Sequence, residues 1–237
     1  MEMDSTQALT PPQAVNAPPL TAQSKNFRFL VAEGLSGYQE IWDYQLKLHS
    51  EVLAGEPDTV LFVEHKPIVT IGKAGGDDHL LTSPDRLREL GIDLVHTDRG
   101  GDITYHGPGQ LVIYPIFDLR RRYLDVHRFL RDLEEVAIRV MAEYSVEGYR
   151  VAGRTGVWTE KGKIAAIGVH VKKWVTYHGM AFNVKREAVT NFQHIIPCGI
   201  VDGGVACLED WGEVCATLEM ADAFRVKIEK VFGGMNG

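Results

Sequence analysis

The sequence predicts an α+β fold, on three observations. Apolar, β-branched runs of strand length recur along most of the chain, as in TVLFVE from Thr59 to Glu64 and LVIYPIF from Leu111 to Phe117. Segments of helical period lie between them, two of them opened by N-cap residues. Strands cluster and mix with helices without the strict alternation of a βαβ series. There is no internal repeat. At 237 residues with 45% hydrophobic composition, one core can account for the chain.

Taken in order, residues 1–25 are rich in Thr, Pro, Gln and Ala, have little to bury and read as a disordered N-terminal tail. Residues 26–237 then read as one domain. Asn26 to Glu33 alternates as a strand. Ser36-Gly-Tyr-Gln39 has the form of a capping box. Ile41, Trp42, Leu46 and Leu53 follow at helical spacing, and Gly55 ends the helix. Thr59 to Glu64 and Ile68 to Ile71 are strands. Ser83 caps a helix with Pro84 in its first turn, which stops at Gly91. Ile92 to Thr97 and Gln110 to Phe117 are strands. Asp125 caps a long helix to about Tyr144, with Phe129, Leu130, Leu133, Val136, Ala137, Val140 and Met141 on its buried side. Gly156 to Thr159, Lys163 to Val171 and Val175 to Asn183 form a meander, turning first at Lys161-Gly162. A helix from about Glu213 to Phe232 closes the chain.

Charge and cysteine content narrow the function. A net charge of −7 argues against nonspecific nucleic-acid binding, which needs a basic surface. Arg120, Arg121 and Arg122 with Lys172 and Lys173 read either as a local patch for an acidic protein or as solvated surface. The cysteines, Cys198, Cys207 and Cys215, are odd in number and lack metal-ligand spacing, so neither a disulfide framework nor a structural zinc site is expected. No apolar run reaches membrane-spanning length, and the N-terminus lacks a signal-peptide pattern. Free thiols fit a reducing compartment, and the expected location is cytoplasmic.

The densest chemistry lies in RGGDITYHGPGQ, from Arg99 to Gln110. It holds an arginine, four glycines and a histidine directly before an apolar strand. Glycines let backbone approach a bound group closely, Arg99 supplies a forked cation and His106 a titratable ring. The segment reads as a ligand-contacting loop.

This segment, followed by LVIYPI, resembles the signature of the octanoyl (lipoyl) transferase family. KIAAIG from Lys163 to Gly168 and IPCGI from Ile196 to Ile200 match the same family in the same order. EHKPIVTIGKAG and YHGMAFNV share its character. The resemblance runs from about Asn26 to the C-terminal helix. It implies a biotin- and lipoate-ligase-like fold, a mixed sheet flanked by helices. It also implies transfer of an octanoyl group from acyl carrier protein to a lysine of a lipoyl domain, with no cofactor and no metal. The acceptors would be lipoyl domains of 2-oxoacid dehydrogenase complexes and the glycine cleavage H protein. Neither nucleic acid nor membrane is an expected partner.

The resemblance makes Cys198 the acyl-carrying nucleophile and Lys163 its acid/base partner. Acyl transfer through cysteine needs a thiolate, which a free thiol supplies poorly at neutral pH unless a neighbour lowers its pKa. A lysine opening an apolar strand needs a partner, since burying a lone ammonium is costly. The carried-over substrate segments are Arg99, Gly100, Gly101, Asp102, Ile103, Thr104, Tyr105 and His106, then Ala166, Ile167 and Gly168, then Gly179, Met180 and Ala181. Small residues there suit an acyl chain lying against backbone. His178 reads equally as a structural or a functional histidine, and His65 as one that orients the loop. Cys207 and Cys215 read as small buried hydrophobes. The rival on the same fold is an ATP-dependent ligase; the chain has no P-loop, and its RGG continues into TYHGPGQ rather than a third glycine. A silent lipoyl-domain-binding module is the rival from another class, and retention of both Lys163 and Cys198 counts against it.

Overall fold

The structure, a computed structural model, describes residues 20–23, 27–196 and 204–233. Its frame is an eight-stranded mixed sheet in the order β1-β2-β3-β7-β11-β10-β9-β8. These strands are β1 (Leu20–Gln23), β2 (Phe27–Ser36), β3 (Asp58–His65), β7 (Gln110–Ile116), β8 (Tyr149–Val151), β9 (Arg154–Thr159), β10 (Gly162–Lys172) and β11 (Val175–Asn183). Only β2 and β3 run parallel; the other neighbours are antiparallel. A second sheet, β5-β4-β6, joins β4 (Ile68–Ile71), β5 (Asp93–His96) and β6 (Ile103–His106).

Two cores follow from alternation along the central strands. Leu111, Ile113, Met180 and Phe182 face one way and pack under α3 (Val126–Glu143) and α5 (Met220–Phe232). Val112, Tyr114, Ile116 and Ala181 face the other way and meet α1 (Tyr38–Leu53). A small third core under the β4 sheet includes Leu87 of α2 (Pro84–Glu89). A four-residue helix, α4 (Glu187–Thr190), follows β11.

Several expected elements take the expected form. The Ser83 hydroxyl accepts from the Arg86 N–H, with Pro84 in the first turn. The Asp125 carboxylate likewise accepts from the Arg128 N–H. Leu130 is only half-buried, unlike the rest of its expected face.

Other expectations are corrected. Leu20–Gln23 forms a strand on β2 inside the segment read as a tail, because the edge of β2 offers backbone partners that composition does not record. Residues 1–19 and 24–26 lie outside the described residues. The capping box at Ser36 does not form. Ser36 is still strand, paired with His65, so Gly37 becomes the N-cap without a side-chain bond. The buried face of α1 runs through Tyr38, Ile41, Tyr44, Gln45, Leu48 and Val52, while Leu46 is exposed. The last helix begins at Met220 rather than Glu213, where the Glu219 carboxylate accepts from the Ala216 N–H.

The arginine run is tied into the fold. Arg120 and Arg121 pair with the buried Asp118. The Arg122 side chain is 2% exposed and pairs with Asp58 at 2.7 Å. Its guanidinium lies over the rings of Phe27, Phe117 and Phe232, at 4.9, 5.0 and 5.8 Å from their centroids. Lys172 and Lys173 are exposed.

Candidate active site

A cavity of about 600 Å³ opens where the small sheet meets β7, β10 and β11. That size lies within the usual range for a small-molecule site, about 300–1,000 Å³. The opening has a structural cause. β9 pairs with β10 only as far as Ala165, after a register shift, so the next stretch of β10 has a free edge. The Arg99 loop crosses that edge, with the Gly100 N–H donating to the Val169 carbonyl at 3.0 Å.

Most of the expected site residues line this one cavity: Arg99, Gly100, Gly101, Asp102, Thr104, His106, Lys163, Ala166, Ile167, Gly168, His178, Gly179, Met180 and Ala181. Ile103 and Tyr105 do not. They alternate with Thr104 and His106 along β6 and fill the third core. His65 is fully buried behind the cavity wall. Cys198 lies outside the described residues. The wall also uses residues that the sequence left unmarked, including Val112, Tyr114, Val126 and Arg154.

Arg99 mainly builds its own loop. Its guanidinium donates to the Thr70 carbonyl at 2.7 Å, the Thr70 hydroxyl at 3.0 and 3.1 Å, the Gly100 carbonyl at 3.1 Å and the Asp102 carbonyl at 2.6 Å. The fork thereby fixes the turn that a point charge could not. The small residues answer first to packing. A Cβ on Gly168 would strike the Gly100 carbonyl, and one on Gly179 would strike the Ile113 carbonyl.

Three neutral histidines ring the inner end. His65 Nδ1 donates to the Ser36 carbonyl at 3.3 Å, leaving Nε2 to accept from the Tyr114 hydroxyl at 2.7 Å. Burial holds the His65 pKa down to about 4, with the Ser36 bond opposing. His106 is held well below its ordinary value by burial, then by neighbouring His65 and Arg99. His178 sits at φ 56°, a left-handed conformation uncommon for a residue with a side chain. Its N–H donates to Gln45 Oε1 at 2.8 Å, and its Nε2–H to Asp98 at 2.7 Å. Burial takes its pKa to about 4 despite the carboxylate. Burial raises the Asp98 pKa, but bonds from Tyr177 and His178 outweigh it, and the carboxyl ends below its ordinary value. Strain held in place by surrounding bonds is a mark of working sites. Asp98, directly before Arg99, is the functional candidate that the sequence reading missed; its position beside the motif was the available signal.

Lys163 is half-buried, with its ammonium 4.8 Å from the centroid of the Trp158 ring. Its N–H donates to the Gly204 carbonyl at 2.8 Å, and its carbonyl accepts from the Ala206 N–H at 3.0 Å. Gly156 lies against its stem, where a Cβ would come within 2.7 Å of Lys163 Cε. Cys207 is buried, and burial followed by Asp210 pushes its thiol up to about 11, far from thiolate chemistry. Among the described residues no group of three His, Cys, Asp or Glu side chains could hold a metal ion, and no helix is long and apolar enough to cross a membrane.

The lipoyl protein ligase A/B catalytic domain family matches residues 37–231. The octanoyltransferase of Chloroflexus aurantiacus is 45% identical over 204 residues, 84% of this chain and 91% of that protein. The octanoyltransferase of Thermosynechococcus vestitus is 41% identical over 207 residues, covering 85% and 88%. In fold, the chain is similar to a lipoate-protein ligase A bound with ATP, with a TM-score of 0.71 at 16% identity over 88% of this chain and 86% of that one. A putative lipoate protein ligase from T. acidophilum with bound lipoic acid gives 0.66 at 15%, with the same coverage. The chain belongs to the octanoyltransferase family, acyltransferases built on the lipoyl protein ligase A/B catalytic domain.

Proposed function

We propose that this acyltransferase moves an octanoyl group from acyl carrier protein to a lysine amine of a lipoyl domain, through a thioester on Cys198. The observation that carries the reading is convergence. Lys163 and Ala166 to Gly168 on β10, Gly179 to Ala181 on β11 and the Arg99 loop, about 60 residues earlier in the chain, line one cavity. Val112, Ile167, Val169, Met180 and Ala181 give it an apolar wall suited to an acyl chain. Cys207 is unfit as nucleophile, and Cys215 packs against the main core and does not line the cavity, so both favour the cysteine of the IPCGI motif. Of that motif the described residues include Ile196, whose N–H donates to the His79 carbonyl at 2.9 Å; the next described residue is Gly204, bonded to Lys163.

In this scheme the Cys198 thiolate attacks the thioester carbonyl, and backbone N–H groups hold the oxyanion. The carrier thiol leaves with a proton that Lys163 supplies. The acceptor amine then attacks the Cys198 thioester, and neutral Lys163 takes its proton as the amide forms and the thiolate returns. Lipoyl domains and the glycine cleavage H protein are the proposed acceptors, and the cytoplasm the proposed location.

Incubation with octanoyl carrier protein and an isolated lipoyl domain, without ATP, tests the reading. Octanoylation of the domain's lysine, lost in Cys198→Ser, is expected. A requirement for ATP with free octanoate would assign the chain to ligase chemistry instead.

A further inference from the structure

A line of buried hydrogen bonds joins His106 to the strand that holds Lys163, and only one arrangement of its donors and acceptors is consistent. The Ala206 carbonyl can only accept, so the Asn183 atom 3.0 Å from it is the amide nitrogen. Asn183 therefore turns its oxygen toward Gln110, which donates to it at 2.9 Å and to the Tyr105 carbonyl at 3.2 Å. Both donors of Gln110 are then used, and its oxygen faces His106 Nδ1 at 2.7 Å. That nitrogen must carry hydrogen. Gln110 is 1% exposed, Asn183 4% and His106 5%, so these bonds are buried. The line ends on Ala206, whose N–H holds the Lys163 carbonyl.

We propose that Gln110 and Asn183 are positioning residues that lock His106 in its Nδ1–H tautomer, so that Nε2 meets the cavity as an acceptor for the N–H of the incoming lysine amine. The proposal rests on the acyl-transfer reading. A neutral imidazole donates from one nitrogen and accepts at the other, and a partner on one fixes the role of the other. His106 lines the cavity. The groups that face it are His65, Tyr38, Arg99 and His178; the first and last are held neutral, and Arg99 disfavours a second cation beside it. An uncharged acceptor is what an amine nucleophile can use, since an imidazolium would repel it. Sharing Ala206 gives His106 and Lys163 one common frame.

Long-range ¹H–¹⁵N spectra of histidine-labelled protein, with His106 assigned through H106Q, read the tautomer without turnover. The expected result is protonated Nδ1 and bare Nε2 in the wild type. Gln110→Leu and Asn183→Leu should move His106 toward the Nε2–H form, and Gln110→Leu should lower the amine-transfer rate about tenfold or more while leaving acylation by the donor nearly unaltered. Gln110→Glu still accepts from Nδ1–H. Its second oxygen faces the Asn183 oxygen and the Tyr105 carbonyl with no proton to donate, so it should cost stability. It should still keep the tautomer and shift the acid limb of the pH profile upward, because a carboxylate favours the imidazolium. An Nε2–H tautomer in the wild type, or an unchanged tautomer in Gln110→Leu, overturns the proposal. Should Gln110→Leu fail to fold, an unshifted acid limb in Gln110→Glu overturns it. Absence of octanoyl transfer by the wild type would instead sink the functional reading, and the spectra would still report the tautomer.

Discussion

Gly168 and Gly100 meet backbone to backbone at the rim of the cavity, so closely that a methyl group on Gly168 would collide with the Gly100 carbonyl oxygen. That carbonyl also accepts from the Arg99 guanidinium. The strand wall and the Arg99 loop are thus set against each other by the absence of one side chain.

Gly168→Ala should therefore displace the loop rather than a flexible side chain. Overpacking of this kind costs about 1–3 kcal/mol of stability. Misplacing site residues by about 1 Å can cost about 100-fold in rate. Urea midpoints and kcat for octanoyl transfer check the two effects. A variant with wild-type kcat would show that the contact does not position the site.

Arg99→Lys keeps the charge but cannot reproduce a fork that reaches Thr70, Gly100 and Asp102 together. Hydrogen bonds to charged groups are worth about 1.5–3 kcal/mol, and the buried Thr70 carbonyl would lose a partner. A loss of about 2–3 kcal/mol in urea unfolding is expected, with a larger fall in activity than Lys usually causes at exposed positions.

Acid should destabilise the fold through its buried histidines. His65 and His178 have folded pKa values of about 4 against an ordinary value of 6.5. The unfolded chain therefore binds more protons below pH 6.5, so stability is fully present above that pH and is lost as pH falls toward 4. Each histidine adds up to one proton to the linkage, a slope of about 1.4 kcal/mol per pH unit. His65→Gln should lessen the slope between pH 6.5 and 4 by close to one proton. An unchanged slope would mean that His65 is already protonated in the folded protein.

Lys163→Gln should lower octanoyl transfer by about 100- to 10,000-fold, the usual worth of a positioned acid/base group. Lys163→Arg retains the cation but does not release its proton at working pH. It should fail nearly as badly in steady-state transfer. Robust turnover in Lys163→Arg would reduce the role of Lys163 to electrostatics.

Much of this arrangement was legible in the chain because its signals are local. Ser83-Pro84 and Asp125 announce their helices through bonds three residues long. The RGG segment shows a ligand-contacting loop in consecutive residues, while KIAAIG and YHGMAFNV are legible through the family resemblance. What escaped is tertiary. Arg122 looks like surface charge until Asp58, 64 residues away, and three phenylalanines close around it. Ile103 and Tyr105 belong to the loop motif, but the period of β6 turns them into the small core. Leu20–Gln23 has no strand pattern of its own and borrows one from β2. Gln110 and Asn183 are ordinary polar residues in sequence; only the fold brings them 2.9 Å apart.

The central claim is a covalent octanoyl-enzyme. Intact-protein mass spectrometry after mixing the chain with octanoyl carrier protein, with no acceptor present, tests it most directly. The account predicts a gain of one octanoyl group, removed by hydroxylamine and absent from Cys198→Ala. An unmodified enzyme that nevertheless transfers octanoyl groups at full rate once the lipoyl domain is added would contradict it.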